Sequence, residues 1–170
     1  MTGYLLDANV FIEAKNRHYG FDFCPAFWDW LVAQNQAGKV ASVEKVADEL
    51  RVGKDDLAGW VVAQGNAFFL NPDDAVVTAL GTVSDWANDP NNDYQQSAIN
   101  VFLSTADSWL IAHALAQRRT VVTHEVFAKT IAKIKIPNVC RGLGLDCINP
   151  YKMLRREQAR FILRLSRENA

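Results

Sequence analysis

No uninterrupted apolar run approaches the roughly 18 residues that a helical membrane span requires. No basic stretch precedes a cleavable apolar segment at the N-terminus, so no secretory signal is expected, and the expectation is a cytoplasmic protein without membrane attachment. Cysteine is scarce. Cys24, Cys140 and Cys147 are odd in number and irregularly spaced, which argues against a disulfide framework, and no close Cys or His pair recurs as a zinc site demands. Internal repeats and low-complexity tracts are absent. With 49% hydrophobic and 22% charged residues, wholesale disorder is excluded, and 170 residues suffice for one domain with its own core.

A net charge of -1 hides an asymmetry. Residues 1–100 hold 14 acids against 6 basic residues, and residues 101–170 hold 5 acids against 12. A basic half can serve a polyanionic partner, or it can be a solvated face that balances the acidic half.

Strand and helix signals alternate. Tyr4-Leu5-Leu6 is an apolar run that stops at Asp7, and Ala8, Phe11 and Ile12 then share a helical face. A helix is expected from Pro25 to about Ala37, with Gly38 as its cap. Val40-Ala41 reads as a very short strand, and Ser42 as the N-cap of a helix carrying Val43, Val46, Ala47 and Leu50. Further helices are expected over residues 54–64, from about Pro72 to Trp86, and from Ser104 to Gln117. Ala67-Phe68-Phe69-Leu70, Thr120-Val121-Val122-Thr123 and Asp146-Cys147-Ile148 read as strands. Residues 126–134 and the basic stretch 150–170 are expected to be helical. This alternation predicts an α/β domain, a three-layer α/β/α sandwich around a mostly parallel sheet.

Four acids hold special positions. Asp7 and Glu125 lie just beyond strand ends, Glu49 lies on a helix, and Asp107 lies in the first turn of the helix after Ser104. The carboxyl ends of parallel strands open the ligand crevice of such a sheet. Clustered carboxylates repel one another, and a hard divalent cation, Mg²⁺ or Mn²⁺, relieves that repulsion. Such an ion can activate water and offset charge building on a phosphoryl oxygen. Each acid also has a simpler reading. Asp7 can cap a strand end, Glu49 can be a solvated helix acid like Asp48 and Glu44, and Asp107 can complete a capping box with Ser104. Asn9 can orient Asp7 or cap the first helix, and the Thr123 hydroxyl can hold the Asp7 carboxylate in place. His113 and His124 are read as core or partly exposed histidines.

Leu5-Leu6-Asp7-Ala8-Asn9-Val10-Phe11-Ile12 resembles the start of a PIN domain. Val46-Ala47-Asp48-Glu49-Leu50 resembles the helix that carries the family's second acid, and Ala106-Asp107-Ser108-Trp109-Leu110-Ile111-Ala112 the helix of the third. Val121-Val122-Thr123-His124-Glu125 is similar to its last strand, with Glu125 where Asp is commoner. Lys135-Ile136-Pro137-Asn138-Val139-Cys140 and Asn149-Pro150-Tyr151-Lys152-Met153-Leu154 resemble a bacterial PIN-like family, the DUF4411 group. The resemblance implies a metal-dependent ribonuclease with Asp7, Glu49, Asp107 and Glu125 around Mg²⁺ or Mn²⁺. It also implies a VapC-type toxin, silenced by a cognate antitoxin protein and able to form a homodimer.

On that reading Asp7 and Asp107 are the primary ligands, with Glu49 and Glu125 assisting, and RNA is cut by in-line attack of water. Lys129, Lys133, Lys135, Arg155, Arg156, Arg160 and Arg164 are the candidate phosphate contacts. Two rivals stand beside it. One is a non-catalytic PIN-like module that binds protein or RNA. The other is a phosphatase of the haloacid dehalogenase type, which needs a second acid where this sequence has Asn9.

Overall fold

Uninterrupted apolar runs form strands that are short and covered on both faces, as parallel sheets require. In the computed structural model, which describes residues 3–165, these are β1 (Tyr4–Leu6), β2 (Val40–Val43), β3 (Phe69–Leu70), β4 (Thr120–Val122) and β5 (Cys147–Ile148). They form one five-stranded sheet in the order β3-β2-β1-β4-β5. Every pairing between them is parallel, so the expected mostly parallel sheet is parallel throughout its described strands.

The helices are α1 (Ala8–Glu13), α2 (Pro25–Gln36), α3 (Glu44–Arg51), α4 (Asp56–Phe68), α5 (Asp74–Asn88), α6 (Gln96–Ser104), α7 (Ala106–Gln117), α8 (Ile136–Leu143) and α9 (Pro150–Arg156). The chain steps from β1 to β2 to β3 in one direction, then returns past β1 to β4 and β5. Right-handed crossovers place the helices of these two excursions on opposite faces. Accordingly α4 packs on α2, β2 and β3, whereas α7 packs on β1, β4, α5 and α8. The direction reverses between β1 and β4, and the crevice of an open α/β sheet lies at such a switch point. Among the described residues no helix is long and apolar enough to cross a membrane.

Phe11 anchors one side of the core, its ring 5.9 Å from that of Trp60, 6.0 Å from Phe68 and 5.7 Å from Phe69. Gly38 follows α2 with φ +73, the left-handed conformation in which a Cβ is strained, so it ends the helix as expected.

Several expectations are corrected. Ser42 is no helix cap. It lies buried in β2, where its hydroxyl donates to the Leu6 carbonyl at 2.6 Å, a bond that lets a polar residue sit in an apolar strand. Ser104 ends α6 and donates back to Val101 O at 2.9 Å, so the capping box with Asp107 does not form. Residues 126–134 are not helical. There the Asn138 side chain accepts from Ala128 N at 3.2 Å and donates to Ala128 O at 2.8 Å, occupying groups that a helix would need. Residues 136 and 137 begin α8, with Pro137 in its first turn. The basic C-terminal helix stops at Arg156, and Gln158 turns left-handed at φ 54. Residues 157–165 are not helical, and the remainder of the expected helix, 166–170, lies outside the described residues.

Candidate acidic site

Asp7 leaves β1 at the switch point and serves as the N-cap of α1. Its Oδ1 accepts from Ala8 N at 2.7 Å and its Oδ2 from Thr123 Oγ1 at 2.8 Å. The residue is 6% exposed. Burial pushes its carboxyl up to about 6, the bonds from Thr123 and Ala8 pull it down, and the negative charges of Glu125 and Glu49 raise it.

Asp107 is half-buried in the first turn of α7. Its carboxyl is raised to about 7, first by burial and then by repulsion from Asp7, Glu125 and Glu49, with Lys133 opposing. The exposed Glu49 comes from α3, and its Oε1 accepts from Ala106 N at 3.2 Å, giving α7 the cap that its own sequence does not provide. Half-buried Glu125 does the same for α8, its Oε2 accepting from Ile136 N at 2.8 Å.

The four predicted acids therefore face one another electrostatically at the carboxyl edge of the sheet. None of the ion pairs among the described residues involves any of them. Their hard oxygens and uncompensated charge fit a divalent cation in chemistry. Among the described residues, however, no group of three acidic, histidine or cysteine side chains is arranged to hold an ion. Asp7, Glu49 and Glu125 each turn an oxygen toward a donor of the protein itself.

Thr123 is the hub of the polar network. Besides donating to Asp7, its Oγ1 accepts from Glu125 N at 3.0 Å and from Asn9 Nδ2 at 3.2 Å. Asn9 Oδ1 accepts from His124 N at 3.1 Å, which fixes the turn leaving β4. Buried His113 lies within α7 with its Nδ1 unpartnered, and burial lowers its basicity to about 4, so it is a neutral core residue.

A cavity of about 410 Å³ adjoins the acids, lined by Glu49 and Asp107 together with Val101, Phe102, Lys133 and Ile134, among others. Lys133 is thus the one predicted basic residue beside the acids in this cavity. Lys135 precedes α8 at the end of the same segment, and exposed Lys129 lines a separate cavity with Tyr94 and Asn138. Arg156 pairs with Asp146 at 2.7 Å where β5 starts, at the opposite edge of the sheet from the acids. Arg155 is exposed on the same last turn of α9, and exposed Arg160 and Arg164 flank Phe161, whose ring packs 5.8 Å from Tyr19 and 6.1 Å from Phe27.

Sequence reasoning missed the part played by His18. A π-helical turn, Ala14–His18, extends α1 and sets the His18 ring 5.7 Å from His124 and 5.6 Å from Tyr151. A π turn has no period that an apolar pattern reveals, so this neighbour carried no signal.

Residues 4–161 match the family described as Domain of unknown function (DUF4411). Among solved structures, FitAcB from Neisseria gonorrhoeae is 19% identical with a TM-score of 0.53, over 87% of this chain and 98% of that one. VapBC2 from Rickettsia felis, solved bound to a DNA fragment from its promoter, is 16% identical with a TM-score of 0.52, over 86% and 97% respectively. No curated protein gives a significant match. At such identities the likeness shows the fold, and it is the PIN-like α/β/α sandwich that the sequence resembles.

Proposed function

This chain belongs to the DUF4411 family, and from its PIN-like fold and converging carboxylates we propose that it is a metal-dependent endoribonuclease, the toxin of a bacterial toxin–antitoxin pair. The observation that carries the reading is the convergence of Asp7 at the end of β1, Asp107 in the first turn of α7, and Glu49 and Glu125 beside them at the carboxyl edge of the sheet, where their charges add to burial in raising the Asp107 carboxyl. With only Lys133 opposing their repulsion at Asp107, these carboxylates suit a cation. Asp7 and Asp107 would hold Mg²⁺ or Mn²⁺, with Glu49 and Glu125 joining by rotating away from Ala106 and Ile136. When bound, the ion supplies water activation and offsets charge on the phosphoryl oxygens. Thr123 and Asn9 keep Asp7 in position, and Lys133 holds the strand by a phosphate.

The shared fold with VapBC2 and FitAcB supports a cognate antitoxin as partner. Homodimerisation and a cytoplasmic location belong to the same reading. Asp7→Asn should abolish Mn²⁺-dependent RNA cleavage while leaving far-ultraviolet circular dichroism unchanged; full activity in that variant removes the proposed site.

One observation favours a second reading, a non-catalytic PIN-like module that binds protein or RNA. No group of three possible ligands among the described residues is arranged around an ion. Calorimetric titration separates the two. Saturable Mn²⁺ binding that Asp107→Ala removes supports the nuclease, and the absence of any binding by the folded wild type supports the module.

A further inference from the structure

The acids are flanked by two cavities. Glu49 and Asp107 line the one that holds Lys133, and Glu125 lines the other, which is about 450 Å³. That volume lies within the range of about 300–1,000 Å³ typical of small-ligand clefts. Its wall includes His124, Val126, Phe127, Asn149 and Tyr151.

Three side chains of this wall, His124, Phe127 and Tyr151, are aromatic, and two of them are tied to a neighbour. The Tyr151 hydroxyl lies 3.0 Å from His18 Nε2, and the His124 and Tyr151 rings stand 5.8 Å apart at 67°. The π turn of residues 14–18 brings His18 into this group, and such turns recur at functional sites. Phe127 is 43% exposed and Val126 is 74% exposed, on a segment that is not helical. Behind Phe127 the Arg141 guanidinium lies 4.6 Å from the ring centroid. An exposed phenylalanine ring beside an arginine, with a half-buried tyrosine in the same cavity, suits unpaired bases on an anionic backbone, because every base offers a π face and every phosphate a charge.

We infer that this cavity is a subsite for one unpaired nucleobase of single-stranded RNA, stacked between Phe127 and Tyr151 on the Glu125 side of the scissile phosphate. The inference rests on the nuclease reading for the course of the strand, and it deepens that reading by naming the cavity that takes a base.

The test uses the full chain without divalent metal and two labelled probes, a short single-stranded RNA and a ribose-phosphate strand of equal length without bases. By fluorescence anisotropy the wild type should favour the base-bearing strand about tenfold. Phe127→Ala and Tyr151→Ala should lose that margin, whereas Phe127→Tyr and Tyr151→Phe should keep it, since a ring remains in each. With Mn²⁺ present, the alanine variants should show their loss in KM rather than kcat. Equal wild-type affinity for both probes, or an intact margin in the alanine variants, overturns the subsite. The two readings fail separately. A wild type that discriminates the probes but never cleaves refutes the nuclease and keeps the subsite. Cleavage with unchanged KM in Phe127→Ala refutes the subsite and keeps the nuclease.

Discussion

Thr123 Oγ1 reaches Asp7 Oδ2 at 2.8 Å although 116 residues separate them in sequence. The bond joins the ends of two neighbouring strands and fixes the carboxylate at the centre of the site. Thr123→Val keeps the shape and removes the donor, leaving a buried oxygen unsatisfied. The expected cost is about 1–3 kcal/mol in urea unfolding at neutral pH. The Asp7 carboxyl should rise further above its value of about 6, because one of the bonds lowering it is gone. Thr123→Ser should restore both properties.

The raised carboxyls of Asp7, about 6, and Asp107, about 7, fix the sign of a pH effect. In the unfolded chain these groups lose their protons near pH ~4. The folded protein still binds those protons above that point, so their contribution to stability is complete below it and is lost as pH rises through about 6 and then 7. Asp146, lowered by Arg156 against its own burial, and Glu157, lowered by Lys39, act in the opposite sense as acid is added. The informative quantity is therefore the difference between wild type and Asp107→Asn. The metal-free variant should gain melting temperature over the wild type as pH rises across this window, and a constant difference would contradict the raised Asp107 carboxyl.

Glu125 has two separable duties. As a cap it accepts from Ile136 N; as a charge it raises Asp7 and Asp107. Glu125→Gln preserves an acceptor and should hold stability within about 0.5 kcal/mol, whereas Glu125→Ala should lose about 1 kcal/mol. If Glu125 serves the cation, both variants lose Mn²⁺-dependent cleavage to a similar degree. Unfolding and cleavage measured side by side resolve cap from ligand.

Lys133 and Arg156 differ in a way that binding experiments can read. Lys133→Ala should weaken RNA binding and lower the slope of log affinity against log salt by about one. Arg156→Ala should leave both unchanged, because its guanidinium is committed to Asp146 at the far edge of the sheet. Anisotropy titrations over a range of salt concentrations provide the check.

The strand-end acids were legible because a carboxylate that abruptly ends an apolar run marks the point where a buried strand reaches the edge of the sheet. The run Leu5-Leu6-Asp7 pointed to both β1 and the edge of the sheet where it ends. What the sequence withheld depends on long-range partners. Ser42 looks like a cap by local rules, yet Leu6 O, far away in sequence, makes it a strand residue. Val126, Phe127, Ile131 and Ile134 mimic helical spacing, yet Asn138 claims the backbone of Ala128 from outside the segment. The rotamers of Glu49 and Glu125 were equally hidden, since helix ends that lack caps of their own recruit them. Among the basic residues, charge alone could not separate Lys133 from Arg156, which lie at opposite ends of the strands.

β1 is the central strand, and one of its two neighbours, β4, is contributed by residues 120–122, which are made well after it. During synthesis, until that segment emerges from the ribosome, one side of β1 has open amide and carbonyl groups, a template for unwanted pairing. The hydroxyl that steadies Asp7 arrives only with the residue after it. A nascent or prematurely terminated polypeptide that lacks residues 120–122 is thus exposed to aggregation at β1, and it cannot assemble the acidic centre before Thr123 and Glu125 have been added.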